Sequence, residues 1–147
     1  MRHTFLLKEG IWVAQGKFID EAGQMIPLKG EMRIKHGRRF WSNDTVILLL
    51  REGNSSLQLT RHYTIRPFAA ARHYTTWHAD DPSIGTLIGK YIIIGNSIIS
   101  TAVSEDSRYI STEVVTIEDA GIYKYRGFLF KKEERVSTWW GKLKKVA

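Results

Sequence analysis

The sequence predicts an all-β protein in which about eight to ten antiparallel strands follow one another and close into an up-and-down barrel. Three observations lead to this prediction. Apolar residues recur mainly with a period of two, turn-forming residues divide the chain at short intervals, and no segment has the 3.6-residue period of an amphipathic helix. A length of 147 residues fits one domain, which we expect to span residues 1–147.

The first four strands are predicted from alternation and from the turns between them. In the segment MIPLKGEMRIKH, 25–36, most apolar side chains and Gly30 have one parity and the charged side chains have the other. This pattern is typical of a strand with one buried face. The turn DEAGQ joins the segment to an earlier strand at 10–18. HGRR and REGNSS then delimit strands at 40–50 and 57–65.

Similar signals divide the second half of the chain. PFAAARHY is either one helical turn or a strand end with a bend, since Pro67 suits a first helical position. ADDPSIG separates a strand ending near His78 from one at 86–94, and Gly95-Asn96 between two β-branched runs indicates a tight hairpin. The turns SEDS, EDAG and KKEE precede the last three predicted strands, which are 108–117, 121–130 and 135–146.

A serial meander of this kind leaves two open edges with unpaired backbone groups. Closing the meander into a barrel removes both edges, and a barrel of this size has room inside for a small ligand. A β-sandwich solves the edge problem less completely and is the alternative architecture.

Composition excludes several classes of protein. The absence of cysteine excludes disulfides, thiolate zinc sites and a cysteine nucleophile. The net charge of +7 is dispersed, apart from a cluster at Lys142, Lys144 and Lys145, so we expect no nucleic-acid partner. No stretch is apolar and long enough for a signal peptide or a membrane span, and we therefore expect a cytoplasmic protein.

The stretch EGIWVAQGKF places Gly10 and Trp12 two residues apart at the start of the first strand. This Gly-x-Trp pattern resembles the first-strand motif of the lipocalin-like calycin barrels, and the chain is similar above all to short bacterial lipocalin-like proteins of unassigned function. The resemblance implies that Gly10 permits close packing and that Trp12 plugs one end of a barrel.

The chain departs from three branches of these barrels. It lacks the helix that follows the barrel in lipocalins, and it has only DEAGQ where fatty-acid-binding proteins insert a helical lid. It also lacks the Gly-rich first strand of the nitrobindin-like haem barrels. The ligand classes of those proteins are therefore not carried over.

The chain has no linear signature of catalysis or metal binding. Its five histidines show no ligand spacing, and there is neither a Gly-x-Ser-x-Gly elbow nor a phosphate-binding loop. We therefore expect no metal, no cofactor and no catalytic motif. Haem bound through a single histidine leaves no spacing signature and stays open as an alternative.

Candidate binding residues include two possible polar anchors, Arg61 and Arg126. An interior Arg flanked by tyrosine hydroxyls can bind a carboxylate while apolar walls hold the rest of a ligand. Tyr123 and Tyr125 share one face of their strand and Arg126 lies on the other. That other face is also apolar, so periodicity does not decide which of them points inward.

The remaining candidates are a carboxyl group and the wall of the barrel. Glu113 faces either the interior, where it could bind or transfer a proton, or solvent, and the solvent-facing alternative is favoured. Trp139 and Trp140 lie on opposite faces of the last strand, so one enters the barrel, and the other, if exposed beside apolar surface, would indicate a homodimer contact. The predicted wall residues are Met32, Trp77, Tyr91 and Trp140.

Taken together, these residues predict non-covalent binding of a small apolar or amphipathic ligand, including an anionic one, inside the barrel. One alternative is an isomerase or lyase that uses interior Glu, Arg and Tyr side chains. A buried Glu113 beside Arg or Tyr, with no room for a long ligand, would favour that alternative. Another is a barrel filled by its own side chains that acts through its surface.

Overall fold

The computed structural model describes residues 2–53 and 55–147 and contains no helix within them. Each strand pairs antiparallel with its neighbours in the chain, and the tenth pairs with the first, so that the sheet closes into a single barrel. The strands are β1 Gly10–Ile19, β2 Met25–His36, β3 Trp41–Leu49, β4 Leu57–Ile65, β5 Tyr74–Asp81, β6 Gly85–Ile94, β7 Ser97–Ser104, β8 Tyr109–Asp119, β9 Ile122–Lys131 and β10 Glu134–Lys145. The predicted all-β up-and-down barrel is confirmed.

Pairing of β1 with β10 closes the barrel. Val13 lies opposite Lys144 and Phe18 lies opposite Trp139, along a ladder that runs for most of both strands. No strand edge is left within the described residues, because every strand has two neighbours. The alternative of a β-sandwich is therefore wrong.

The inner face of each strand follows the predicted alternation. On β2, Ile26, Leu28 and Ile34 are buried, as expected for the apolar parity of that strand. The hairpin at Gly95-Asn96 joins β6 to β7 as predicted. The segment 66–73 is a loop rather than a helical turn, and β5 begins directly after it.

One end of the barrel, which we call the closed end, is filled by Phe5, Leu6, Trp12 and Tyr123. Trp12 and Leu6 are fully buried, and the rings of Phe5 and Tyr123 lie 5.3 and 5.5 Å from the ring of Trp12. The Tyr123 hydroxyl accepts hydrogen bonds from the backbone N–H groups of Thr4 (3.1 Å) and Phe5 (3.4 Å). Residues before β1 therefore cross this end and are fastened to the inner face of β9.

Three inward-facing aromatic side chains each lie next to a glycine of the adjacent strand. These pairs are Trp77 with Gly89, Trp139 with Gly127, and Tyr125 with Gly141. A Cβ atom on Gly127 would lie 2.6 Å from Cε2 of Trp139, which is closer than non-bonded carbon atoms approach one another. Only glycine leaves room for these side chains in this position.

Candidate functional site

A cavity of about 250 Å³ lies inside the barrel, towards the end opposite the closed end. We call it the outer chamber and that end the cavity end. The outer chamber reaches the loop between β5 and β6 at Ser83 and Ile84. Its apolar walls include Phe18, Leu28, Ile47, Leu59, Ile84 and Leu129.

A smaller cavity of about 50 Å³, the inner chamber, lies deeper in the barrel towards Phe5 of the closed end. Its walls include Asn43, Trp77, Tyr91, Ile98 and Val115. Residues that border both chambers include Met32, Thr45, Arg61, Tyr63, Glu113 and Trp139. The polar side chains of the interior are thus concentrated between the two chambers.

Arg61 on β4 is held by two partners. Its guanidinium donates to the Asp81 carboxylate at 2.6 Å and to the Tyr63 hydroxyl at 3.1 Å. Burial lowers the pKa of Arg61, but the influence of Tyr63 and the hydrogen bond to Asp81 outweigh it, so that the pKa is raised overall. Arg61 therefore keeps its charge.

Asp81, the partner of Arg61, keeps its charge as well. Burial raises the pKa of its carboxyl group, but hydrogen bonds from Ser83 and Arg61 outweigh burial and lower the pKa overall. Only 13% of the Asp81 side chain and 28% of the Arg61 side chain are exposed. The two residues form a partly buried ion pair in which the charges offset each other.

Glu113 on β8 points into the barrel, and its remaining exposure is to the chambers that it borders. Its Oε2 accepts a hydrogen bond of 2.7 Å from Nε1 of Trp139. Burial raises the pKa of Glu113, although the Trp139 hydrogen bond and the charge of Arg61 act in the opposite direction. The favoured expectation that Glu113 faces solvent was wrong, because the pleat of β8 places it on the same face as the buried Val115.

The geometry around Glu113 depends on a row of three residues across three strands. Glu113 on β8 lies opposite Gly127 on β9, and Gly127 lies opposite Trp139 on β10. Since Gly127 has no side chain, the Trp139 indole crosses it and reaches the carboxylate. This glycine therefore positions the hydrogen-bond donor of Glu113.

Aromatic rings surround the inner chamber on the side of β4, β5 and β6. The ring of Trp77 lies 4.9 Å from that of Tyr63 and 5.8 Å from that of Tyr91. Burial, together with Tyr63 and Glu113, raises the pKa of Tyr91 well above its usual value, so this phenol stays neutral. Burial and Glu113 likewise raise the pKa of Tyr125.

Three buried polar atoms have no hydrogen-bond partner among residues 2–53 and 55–147. They are Nε1 of Trp12, Nε1 of Trp77 and the hydroxyl oxygen of Tyr125. An unpartnered buried donor costs about 1–3 kcal/mol. The interior is therefore not optimised for hydrogen bonding by the protein alone.

The structure places the predicted site residues in three locations. Met32, Arg61, Trp77, Tyr91, Glu113 and Tyr125 line the chambers. Trp12 and Tyr123 lie at the closed end, where Trp12 acts as packing rather than as a chamber wall. The other two, Arg126 and Trp140, lie outside the barrel.

The predictions of Trp140 as a wall residue and of Arg126 as a possible polar anchor were therefore wrong. On β9 the buried tyrosines Tyr123 and Tyr125 take the inner parity, which turns Arg126 outward. On β10 it is Trp139 that crosses Gly127 into the interior, so Trp140 lies on the outer face opposite Arg126 and is 40% exposed.

Sequence reasoning missed Tyr63, Asp81 and Trp139 as interior residues. Asp81 stands in ADDPSIG, which indicates a turn, and nothing local links it to Arg61. For Trp139 the signal depends on the register of β9 and β10: an aromatic residue that faces a glycine on the next strand tends to cover it, and the sequence does not give that register.

The described residues contain no group of three or more His, Asp or Glu side chains that could hold a metal ion. Nor does the part of the chain that the structure describes include a helix long and apolar enough to cross a membrane.

No protein-family model matches the sequence, and no curated protein matches it significantly. Among solved structures, the S-type phycobiliprotein lyase CPES from Guillardia theta is similar, with a TM-score of 0.69. The alignment covers 97% of this chain and 91% of that chain at 7% identity. An N-terminal dehydratase from the difficidin assembly line aligns over 95% of this chain and 79% of that chain at 8% identity, with a TM-score of 0.28.

At 7% identity the likeness to the lyase concerns the fold alone. The fold that the two proteins share agrees with the all-β barrel that the sequence predicts. The class of fold is a closed ten-stranded antiparallel barrel with an interior cavity.

Proposed function

We propose that this protein binds a small, largely apolar or amphipathic molecule non-covalently inside the barrel. The observation that carries the proposal is the outer chamber, a space of about 250 Å³ with mostly apolar walls and a few polar groups at one depth. Small-molecule sites typically combine such walls with a few converging polar side chains.

The size of the interior limits the ligand. Small-molecule pockets usually measure about 300–1,000 Å³, and the outer chamber lies just below that range. A compact molecule fits better than a long one, with its apolar part in the outer chamber and its polar group near Arg61 and Glu113. The lyase neighbour supports the idea of a container but does not identify the contents, since one fold serves many functions.

Uptake of an amphipathic fluorescent dye tests the proposal. We expect saturable binding that weakens in Leu59→Phe, where a larger side chain enters the outer chamber. Ile88→Phe is the matched control, because Ile88 is also an exposed aliphatic residue on a strand but does not line the chambers. Equal affinity in both variants, or no uptake by the parent protein, would contradict binding inside the barrel.

One observation favours a second candidate function, proton transfer by an isomerase or lyase. Glu113 is buried near the charge of Arg61, and the short cavity excludes a long ligand. A carboxyl group with a raised pKa is a typical general acid or base. The test is to incubate the protein with a mixture of small metabolites and to analyse the mixture by mass spectrometry. If the protein is an enzyme, the parent converts a component that the Glu113→Gln variant leaves unchanged. If it is only a binding protein, neither converts any component.

The third alternative, a barrel filled by its own side chains, is disfavoured by the two chambers. Trp140 meets part of the criterion for a homodimer contact because it is an exposed aromatic residue on the outer face. Native mass spectrometry tests the subunit number and any bound ligand together. The cytoplasmic location and the absence of a nucleic-acid partner stay predictions.

A further inference from the structure

We propose that the polar group of the ligand is a cation, a protonated amine, which pairs with the carboxylate of Glu113. This inference rests on the proposed function, since it names the chemical class of molecule that the barrel binds. It follows from the charges, the geometry and the aromatic walls of the two chambers.

The first step is the charge of the interior. Of the residues described as lining the two chambers, Arg61, Asp81 and Glu113 are those that carry a formal charge when ionised, whereas Tyr63, Tyr91 and Tyr125 are phenols. Arg61 and Asp81 offset each other through their ion pair at 2.6 Å. Ionised Glu113 would leave the interior with a net charge of about −1, which is costly at a buried site unless it is paired.

A ligand cation supplies the missing positive charge. With a neutral ligand, Glu113 either stays protonated or carries a negative charge that no positive charge compensates. An anionic head group, which the sequence suggested for an Arg anchor, meets a guanidinium already paired with Asp81 and lies near a second carboxyl group. The charge count therefore favours an amine over a carboxylate.

The second step is the geometry of Glu113. Its Oε2 is held by the Trp139 indole at 2.7 Å, which fixes the carboxylate on the wall between the chambers. This hydrogen bond acts to lower the pKa of Glu113 and therefore favours its ionised form. A molecule lying in the outer chamber can thus bring an ammonium group to Glu113 without leaving its apolar surroundings.

The third step is the inner chamber beyond Glu113. Its volume of about 50 Å³ exceeds the roughly 30 Å³ that one water occupies in the liquid, so one compact ammonium group fits. Tyr63, Trp77 and Tyr91 form its wall, and the negative faces of aromatic rings attract cations. A carboxylate and aromatic rings together are typical partners of an amine.

Three matched probes test the inference: 3-phenylpropylamine, 3-phenylpropan-1-ol and 3-phenylpropanoate share one apolar part and differ in charge. Calorimetry near neutral pH should show that the amine binds about ten- to a hundredfold more tightly than the alcohol, the range that a hydrogen bond to a charged group gives. The carboxylate should bind most weakly.

Glu113→Gln is the decisive variant, because glutamine still accepts the Trp139 hydrogen bond but carries no charge. In this variant the amine should bind no better than the alcohol, whose affinity should be unchanged. Circular dichroism verifies the fold of the variant. Asp81→Asn provides the reverse case: with Arg61 no longer offset, the preference should move towards the carboxylate.

Proton release gives a second readout. The groups that face Glu113 are Arg61 and Tyr63 from β4, Tyr91 from β6 and Tyr125 from β9. The pKa values of Arg61, Tyr91 and Tyr125 are all raised, so these three groups keep one protonation state between acidic and neutral pH. Asp81 on β5 titrates below its usual range. Because an ammonium partner favours the ionised form of Glu113, amine binding should lower the pKa of this carboxyl group and release protons at pH values where the empty site is partly protonated. The affinity of the protein for the amine should fall as the pH is lowered, and the heat of amine binding should depend on the buffer.

Each result decides between the two proposals. Equal binding of amine and alcohol would overturn the amine inference but would still agree with ligand binding inside the barrel. Tighter binding of the carboxylate would overturn it in favour of Arg61 as an anion anchor. If none of the three probes binds, the amine inference is wrong, and dye uptake shows whether the container is wrong as well.

Discussion

The two ends of the barrel are built from the same ten strands and differ in what fills them. At the closed end, chain preceding β1 brings Phe5 and Leu6 against Trp12. Within residues 2–53 and 55–147, no comparable segment enters at the cavity end, and Leu59 is still 41% exposed. Eight strands enclose a space that side chains just fill, and the diameter grows with strand number. A ten-stranded barrel is therefore wide enough to need extra chain wherever it is closed.

The hydroxyl groups of two tyrosines on β9, one at the closed end and one towards the cavity end, differ in their hydrogen bonds. At the closed end the Tyr123 hydroxyl is fully engaged, with the backbone of Thr4 and Phe5 as donors. Two residues further along β9, Tyr125 borders the outer chamber, and its buried hydroxyl has no partner in the described chain. The hydroxyl of Tyr123 therefore stabilises the closed end, whereas that of Tyr125 does not pair within the described chain; Nε1 of Trp12 at the closed end also lacks a partner there.

The largest effect is expected from removing the aromatic packing of the closed end. Trp12→Ala should lower the free energy of unfolding by about 3–5 kcal/mol, the usual cost of truncating a buried aromatic residue. This is a large share of the roughly 5–15 kcal/mol of a typical domain. Leu59→Ala at the cavity end is the control and should cost far less. Equal losses in urea denaturation would remove the distinction between the ends.

A smaller effect is expected where a ring covers a glycine. Gly127→Ala places a methyl group about 2.6 Å from the Trp139 ring and should cost about 1–3 kcal/mol, as overpacking does. It should also break the Trp139–Glu113 hydrogen bond and shift tryptophan emission. Gly30→Ala is the control, because its methyl group would meet the flexible end of Ile47. A Gly127 variant with parental stability and emission would contradict this geometry.

The two tyrosines of β9 provide a matched pair of substitutions. Tyr123→Phe removes the acceptor of two backbone N–H groups and should cost about 1–3 kcal/mol. The amides of Thr4 and Phe5 should then exchange hydrogen faster. Tyr125→Phe removes a buried hydroxyl without a partner and should be neutral or stabilising. Similar losses in both variants would show that the hydroxyl contacts of the closed end do not stabilise it.

The smallest effect is the pH dependence from Glu113. Its pKa is raised above the usual 4.5, so the protonated form stabilises the fold below that pH, and this contribution is lost as the pH rises through the folded-state pKa. The stability of the parent relative to Glu113→Gln should therefore decrease with rising pH above 4.5. Asp81 has the opposite sign, since its lowered pKa contributes stability that is lost only on acidification below 3.8. A difference independent of pH would mean that Glu113 is not perturbed by burial.

The strands could be predicted because their signals are local. Alternation on β2 identifies its buried face without knowledge of any partner strand, and Gly95-Asn96 marks a hairpin within a few residues. Trp139 and Trp140 were correctly expected on opposite faces for the same reason. The period of apolar residues within a segment is sufficient to predict its secondary structure and the relative orientation of adjacent side chains on one strand.

The site could not be predicted, because it depends on register between strands. Nothing in the sequence aligns Gly127 with Trp139, yet this pairing decides which tryptophan of β10 enters the barrel. The ion pair of Arg61 with Asp81 joins residues on adjacent strands across a loop, and only the folded pairing brings them together. Hydropathy ranks the two tryptophans equally, and steric fit decides between them.

Closure of the barrel through β1 and β10 also has a consequence for the order of folding. The ladder that includes Val13 and Lys144 joins opposite ends of the sequence, whereas every other ladder joins neighbouring strands. Contacts between distant residues form late and slow folding, since a long loop must be ordered before they contribute. Hairpins should therefore form first and the β1–β10 seam last. Until then β1 and β10 remain open edges, and the unclosed chain is most exposed to aggregation at that stage.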